Sequence, residues 1–301
     1  MGVGQHKAAW VFLSFLLILS GSAFAAESAK KPVKPPHPSV LKIKPGQHPL
    51  QPLINYAKQG LYYLNQEIRD YSCVMIRRER INGRLMLHEH MIARVRHERR
   101  TDGNVKVPFS VFLHFYSPRR VRGRQVAYVA GRNDGKLIVR RGGRRVNITL
   151  LVKPKSHGAM RNNRYPITAF GIKNLITRLI AVAEEEVKHA KLSTPECVVK
   201  VIPGAKIDKR SCFCIQVTHL VKREHYKFHI ARLFIDDALQ LPVRFESYDW
   251  PKSAGGKPVL VEEYTYSKLK LNRRLTDRHF DLPIPGQKKT SQKTADKIGA
   301  R

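Results

Sequence analysis

Apolar residues recur along this chain with two different periods, and the changes of period mark its secondary structure. Between Leu50 and Ile68 they return every three or four residues, which predicts an amphipathic helix. From Tyr71 onward they alternate in short runs separated by Gly, Asn and Asp, as strands joined by turns do, and Asn82-Gly83 is a hairpin signal. A second helical pattern from about residue 168 to residue 189 interrupts these strands once.

The strands are numerous and mostly follow one another directly, which favours an antiparallel sheet. The alternating runs before and after the second helix give about eleven strands. A parallel sheet would need a helix between most of them, whereas two long helical patterns are present. The sequence therefore predicts an α+β domain with a large antiparallel sheet and two main helices.

Several strands are apolar on both faces, which limits how the sheet can be covered. In the run from Val107 to Tyr116, one face carries Phe109, Val111, Leu113 and Phe115, and the other carries Phe112, His114 and Tyr116. Such a sheet must be covered on both sides, or it must curve until one side faces a cavity. Two helices can cover one side of a strongly curved sheet. The enclosed space is then either hollow or filled by side chains, and the pattern leaves both open.

The two ends of the chain differ in composition from the part between them. Residues 1–25 combine Lys7, an apolar run and the small-x-small sequence Ala23-Phe24-Ala25, which predicts a cleaved signal peptide and a periplasmic or secreted protein. A retained N-terminal anchor is the alternative. Residues 26–49 are rich in Lys and Pro, which predicts a disordered tether, and residues 287–301 form a basic tail that is also predicted to be disordered. A single domain is expected from residue 50 to residue 286.

The formal net charge is +33, and the predicted export changes the partners that this charge suggests. An exported basic protein meets anionic lipid headgroups, acidic polysaccharides or acidic proteins, and we expect no nucleic-acid partner. The basic residues are spread over predicted strand ends and turns, so a solvated surface is the simplest explanation for most of them.

Four cysteines form an even set in a protein predicted to enter an oxidising compartment, which favours disulfides. Cys197 and Cys212 fall on successive predicted strands, where a cross-strand bridge can form. Cys73 and Cys214 are then the companion pair. Free thiols are the alternative.

The sequence carries no signature of catalysis or of a metal site. His88 and His90 share a strand face, as do His225 and His229, but no third ligand has a forced position beside either pair. A Gly-x-Ser-x-Gly nucleophile elbow is absent, and the run Glu184-Glu185-Glu186 suits a solvated helix end. We therefore expect a protein that is not an enzyme and has no cofactor.

Several segments resemble a family of secreted bacterial proteins, chiefly from planctomycetes, known as domain-of-unknown-function family 1571. They are DYSCVMIRRERINGRL at residues 70–85, PFSVFLHFYSP at 108–118, GRQVAYVAGRNDGKL at 123–137, MRNNRYPITAFGIKNLI at 160–176, CFCIQVTH at 212–219 and VRFESYDWP at 243–251. The resemblance extends from about residue 53 to residue 281. The family has no assigned activity.

More distantly, the layout is similar to that of the periplasmic lipoprotein carriers of the LolA and LolB type and their relatives in envelope stress sensing. The likeness lies in a first helix followed by a charged hairpin, and in the segments 233–250 and 264–280. It implies an unclosed, highly curved antiparallel barrel that is lined by apolar side chains and lidded by helices. Such a barrel holds the acyl chains of lipoproteins or lipids.

Together, these patterns and resemblances predict a non-enzymatic, monomeric binding protein that holds a hydrophobic or acyl-bearing ligand, lipid or lipoprotein, and is at most peripheral to a membrane. The candidate lining residues are Phe109, Val111, Leu113, Phe115, Leu175, Leu179, Phe228 and Tyr264, and the candidate headgroup contacts are Arg119, Arg122 and Arg124. The alternative is a filled barrel whose basic surface docks on an anionic envelope polymer or an acidic protein.

Overall fold

The computed structural model describes residues 34–38, 41, 43–142, 148–190 and 196–284. The predicted signal peptide at residues 1–25 and the predicted basic tail at residues 287–301 lie outside the described residues. Among the described helices, none has both the length and the hydropathy that a membrane span requires.

The described residues form three α-helices and fourteen β-strands. The helices are α1 (Leu50–Glu67), α2 (His157–Met160) and α3 (Ile172–His189). The strands of the first half are β1 (Asp70–Ile81), β2 (Arg84–Leu85), β3 (Glu89–Arg96), β4 (Arg99–Thr101), β5 (Asn104–Val107), β6 (Ser110–Ser117), β7 (Gln125–Val129), β8 (Leu137–Arg140) and β9 (Thr149–Val152). Those of the second half are β10 (Cys197–Ile207), β11 (Arg210–His219), β12 (Ile230–Asp236), β13 (Pro242–Asp249) and β14 (Val259–Leu271).

Twelve strands form one antiparallel sheet in the order β10-β11-β12-β13-β14-β1-β3-β6-β7-β8-β9, with β2 paired to β1. Neither β10 nor β9 has a second partner among the described strands, so the sheet is not closed. β4 and β5 form a separate two-stranded ribbon. The predicted large, unclosed antiparallel sheet with two main helices is confirmed.

The sheet curves around α3. This helix borders one cavity with Ile215 of β11 and another with Val152 of β9. In a flat sheet these strands would lie about 43 Å apart, at about 4.8 Å for each of the nine steps between them. An 18-residue helix is only about 27 Å long. One helix can therefore border strands of both halves only because the sheet bends around it. We call the face toward α3 the inner face.

The main hydrophobic core lies between the inner face and the two long helices. The apolar stripe of α1 buries Leu50, Ile54 and Leu64, and that of α3 buries Ile172, Leu175, Ile176 and Ile180. They join buried side chains of β1, β3, β6 and β7 in one cluster, with Val95 and Val111 fully buried. The apolar positions that recur periodically in the sequence form the packing surface of each helix.

The outer face of β6 to β8 is covered by the end of the described chain. Phe112 lies on that face and packs with Ile138 against Phe280 and Leu282. An ion pair of 2.7 Å between Arg96 Nη2 and Asp277 Oδ1 ties this last described part of the chain to the sheet. This packing explains why the strand from residue 107 to 116 is apolar on both sides.

The described residues before α1, which are 34–38, 41 and 43–49, contact the domain at several points. Pro35 and Pro38 are buried, and the His37 ring meets the Phe213 ring edge-on at 4.7 Å. The Lys34 ammonium donates a hydrogen bond of 3.1 Å to the Ala238 carbonyl. Prolines cannot continue a helix or a strand, but they pack well in an irregular segment.

The strand register corrects the disulfide prediction. Cys197 lies opposite His219, and Cys212 lies opposite Ala205, eight residues further along β10. That offset is about 26 Å at about 3.3 Å per residue, whereas the Cα atoms of a disulfide lie within about 7 Å. The predicted bridge between Cys197 and Cys212 is therefore wrong.

The companion pair is also separated by the sheet. Cys73 lies on β1 and Cys214 on β11, four strand positions away, which is about 19 Å measured along the curved sheet. All four cysteines are free and buried. Burial raises the pKa of Cys73 to about 12 and that of Cys214 to about 11, so both thiols stay protonated and unreactive.

Candidate functional site

A cavity of about 590 Å³ opens between the inner face and the segment that follows β9. Small-molecule sites in proteins span about 300–1,000 Å³. Strands β1, β6, β7, β8, β9 and β14 form its walls, and α3 together with residues 153–171, which we call the covering segment, closes it. Apolar side chains on its wall include Met75, Leu113, Phe115, Val126, Val139 and Val152.

One apolar row crosses four strands of the cavity wall. Leu113 of β6 lies opposite Val126 of β7, Val126 opposite Val139 of β8, and Val139 opposite Leu150 of β9. All four line the cavity. Because side chains alternate along each strand, a single register brings these four residues onto the inner face.

The covering segment is anchored on two buried carboxylates. Glu79 of β1 lies directly opposite Glu262 of β14, and both side chains are buried. The backbone N–H of Arg164 donates to Glu79 Oε2 at 3.2 Å, and the Tyr165 hydroxyl donates to Glu262 Oε1 at 3.2 Å. These contacts fix the covering segment to the sheet at one end of the cavity.

The Tyr264 hydroxyl lies between these two carboxylates, 2.6 Å from Glu79 Oε1 and 2.8 Å from Glu262 Oε2. Burial, together with the nearby carboxylates, raises the pKa of Tyr264 well above its usual value, so the hydroxyl keeps its proton. Like charges directly opposite each other on neighbouring strands are destabilising. The Tyr264 hydroxyl therefore stabilises an arrangement that the two glutamates alone would disfavour.

Arg124 and Arg141 line the cavity from the ends of β7 and β8 and form its basic end. Arg77 of β1 lines the cavity as well, and its Nη1 lies 4.0 Å from Glu79 Oε1. Arg77 Nη2 forms an ion pair of 2.7 Å with Glu89. The guanidinium groups of Arg77 and Arg124 lie 5.9 and 5.8 Å from the centre of the Phe115 ring, within the range of cation–π contacts.

A second, smaller cavity of about 90 Å³ lies between α1, α3 and β11 to β13. Its wall is apolar except at Glu186 and Gln240. Glu186 is buried and lies 3.0 Å from Nε2 of the buried His219. The Nδ1–H of His219 donates to the Phe228 carbonyl at 2.7 Å. This pair links α3 to β11 and to the loop after it.

The predicted lining residues divide between the two cavities and the core. Leu113, Phe115, Leu175 and Tyr264 line the larger cavity, and Leu179 and Phe228 line the smaller one. Val111 shares the face of Leu113, but it is fully buried in the main core. Phe109 precedes β6 and packs on the Tyr128 ring at 6.3 Å.

Of the three predicted headgroup arginines, Arg124 alone lines the larger cavity. Arg119 and Arg122 lie in the exposed turn between β6 and β7, where Arg122 Nε donates to the Tyr116 carbonyl at 3.2 Å. Alternation explains the difference, because Arg124 is two residues from Val126 and so shares its inner face.

The sequence interpretation missed the covering segment, Glu79 and Arg141. Met75, Arg77 and Glu79 follow one another at two-residue steps on the inner face of β1, and this spacing was the available signal for the buried charges. Within the described ranges, no group of three or more His, Cys, Asp or Glu side chains is arranged to hold a metal ion.

A comparison with protein-family models matches residues 68–288 to the family described as "Protein of unknown function (DUF1571)". No curated protein matches the chain.

Solved structures with a similar layout include three bacterial proteins. A DUF1329 family protein from Desulfovibrio piger is 12% identical with a TM-score of 0.37, and the match covers 78% of this chain and 98% of that one. A putative outer membrane lipoprotein-sorting protein domain from Vibrio parahaemolyticus is 10% identical with a TM-score of 0.35, covering 75% and 94%. A LolA superfamily protein from Nitrosomonas europaea is 12% identical with a TM-score of 0.27, covering 74% and 97%. The superfamily that the sequence resembles distantly is thus among the matches.

Proposed function

We propose that this chain, which belongs to the DUF1571 family of proteins of unknown function, is an exported, non-enzymatic binding protein. Its ligand is hydrophobic or acyl-bearing, a lipid or an acylated protein, and occupies the larger cavity. The observation that carries the proposal is the apolar row of Leu113, Val126, Val139 and Leu150 along a cavity of about 590 Å³.

The energetics of such a site need no catalytic group. Each methylene that leaves water contributes about 0.8 kcal/mol, so an alkyl chain of ten buried methylenes contributes about 8 kcal/mol before the cost of association. A wall of Leu, Val and Phe side chains accepts such a chain without demanding hydrogen bonds. A cavity of this kind selects for length and shape more than for polar detail.

The geometry of closure also supports a binding role. The covering segment is tied down at one end through Arg164 and Tyr165, whose partners Glu79 and Glu262 belong to the sheet. The basic end of the cavity is more open, because Arg141 is exposed and Arg124 is half-buried. A ligand would therefore enter from the basic end, with its apolar part along the row of Leu113, Val126 and Val139.

A cavity-filling variant tests the proposal. Val139 lines the cavity, and a Val139→Trp substitution would occupy the space that an acyl chain needs. Val105 lies on the separate β4–β5 ribbon and is 45% exposed, so Val105→Trp is a matched control.

The assay is a titration of each variant with a fluorescent fatty acid. We expect saturable binding to the unchanged protein and to Val105→Trp, and at least tenfold weaker binding to Val139→Trp. Absence of saturable binding to the unchanged protein would refute the proposal. Equal affinity of all three proteins would assign binding to the surface. That result would favour the alternative of a filled barrel that acts through its basic surface.

A further inference from the structure

Two arginines lie close together at the basic end of the larger cavity. The register of β7 and β8 ends with Gln125 opposite Arg140, and Arg124 and Arg141 are the next residues on the two chains. Their charges act on each other, because Arg141 is among the cations that lower the pKa of Arg124. Both residues line the cavity. They share the inner face with Val126 and Val139, which are two residues away on the same strands.

A close backbone approach holds this pair together. A Cβ atom on Gly142 would lie 2.2 Å from the carbonyl carbon of Gly123 and 2.4 Å from the carbonyl oxygen of Arg122. Only glycine fits at residue 142, and the two chains touch immediately beside the arginine pair. Arg124 and Arg141 are therefore kept side by side by the backbone.

The pair lacks an acidic partner of its own. Among the residues that the structure describes, no carboxylate lies within 4.0 Å of either guanidinium. The nearby Glu89 is occupied, because its Oε2 pairs with Arg77 at 2.7 Å and its Oε1 lies 3.6 Å from Arg120 Nη2. Like charges held close together repel each other, so this arrangement favours an added anion.

Electrostatics at Arg124 agree with the geometry. Burial lowers the pKa of Arg124, and the neighbouring cations Arg77, Arg141 and Arg120 lower it further, although Glu89 opposes the shift. The local charge is thus more positive than the available carboxylate balances. An anion between the two guanidinium groups would relieve both the repulsion and the incomplete solvation.

The apolar row begins next to this pair. Val126 and Val139 lie two residues from Arg124 and Arg141, about 7 Å along the strands. A molecule with an anionic group at one end and an alkyl chain at the other could meet both features at once. Guanidinium groups present forked donors that match the oxygens of a carboxylate or a phosphate.

We propose that the ligand of the larger cavity is an anionic amphiphile whose carboxylate or phosphate sits between Arg124 and Arg141 while its alkyl chain follows the row of Leu113, Val126 and Val139. This inference rests on the proposed function and specifies its ligand class.

The test compares ligands that share one alkyl chain and differ in their polar end. Palmitate and hexadecyl phosphate are anionic, 1-hexadecanol is neutral, and inorganic phosphate has no chain. Binding is measured by calorimetry with the unchanged protein and with Arg124→Gln and Arg141→Gln. Arg122→Gln, at an exposed position that does not line the cavity, is the matched control, and circular dichroism checks that each variant folds.

The unchanged protein should bind at least one anionic amphiphile tenfold or more tightly than hexadecanol. Each cavity variant should lose about tenfold for that amphiphile and keep its affinity for hexadecanol, and Arg122→Gln should behave as the unchanged protein does. Equal affinity for hexadecanol and both amphiphiles would overturn the inference and leave the proposed function standing. Binding of inorganic phosphate as tight as that of the amphiphiles would also overturn it, because the site would then be one for a free anion. If no ligand with a chain binds, the proposed function fails as well.

Discussion

Protonation of His97 should destabilise the folded protein as the pH falls. The residue follows β3 and is 4% exposed. Its Nδ1–H donates to the Ile68 carbonyl at 2.9 Å, and its Nε2 is buried without a hydrogen-bond partner among the described residues. The ring is therefore held in its neutral form, since a proton on Nε2 would be a buried and unpaired donor.

The size of the effect follows from the shifted pKa. Burial is the main cause that lowers the pKa of His97 from 6.5 to about 4, and Lys173 adds to it, while the Ile68 carbonyl and Asp70 oppose it. The unfolded chain binds a proton near pH 6.5 and the folded chain only near pH 4, so the free energy of unfolding falls between these values. A difference of about 2.5 units at about 1.4 kcal/mol each gives about 3 kcal/mol.

Urea denaturation, followed by tryptophan fluorescence between pH 7.5 and pH 4, measures this loss. His97→Asn removes the titrating group but retains a side-chain N–H donor, and it should flatten the decline by about 3 kcal/mol relative to the unchanged protein. His157→Asn, at an exposed position, should leave the decline as it is. If the curves of His97→Asn and the unchanged protein run parallel, the buried neutral ring is not the source of the pH dependence.

Three further outcomes are expected. Gly171→Ala should lower the unfolding free energy by about 2 kcal/mol, because Gly171 has φ of +103° and its added Cβ would lie 2.9 Å from the Tyr71 hydroxyl; an unchanged melting temperature would contradict this. Tyr264→Phe should cost about 3 kcal/mol, because it removes a hydroxyl shared by two buried carboxylates, and a loss under 1 kcal/mol in urea denaturation would show that Glu79 and Glu262 do not depend on it. Thiol titration in denaturant without reductant should find four free cysteines, and fewer would mean that a bridge forms.

The elements that the sequence predicted well are those set by local periodicity. The apolar stripes of α1 and α3 are continuous over 18 residues each, so each helix can be recognised from its own sequence. The inner face of β6 also follows from alternation, since Val111, Leu113 and Phe115 do share one face. Local patterns define which residues face inward.

What the sequence could not provide is how distant elements meet. Val111 and Leu113 have the same pattern and both belong to the main core, but of the two only Leu113 also lines the larger cavity. The pairing of Cys197 with Cys212 failed for the same reason, since it assumed a register that the eight-residue offset excludes. The role of Arg141 went unrecognised because it depends on the proximity of Arg124, which is distant in sequence.

Native mass spectrometry of the protein, purified without detergent, tests directly whether the larger cavity holds a lipid or an acyl-bearing molecule. We expect a stoichiometric adduct with the mass of such a molecule, present on the unchanged protein and absent from Val139→Trp. A clean apo mass for the unchanged protein, with no adduct after incubation with palmitate, hexadecyl phosphate or 1-hexadecanol, would contradict the proposed binding role and favour a protein that acts through its basic surface.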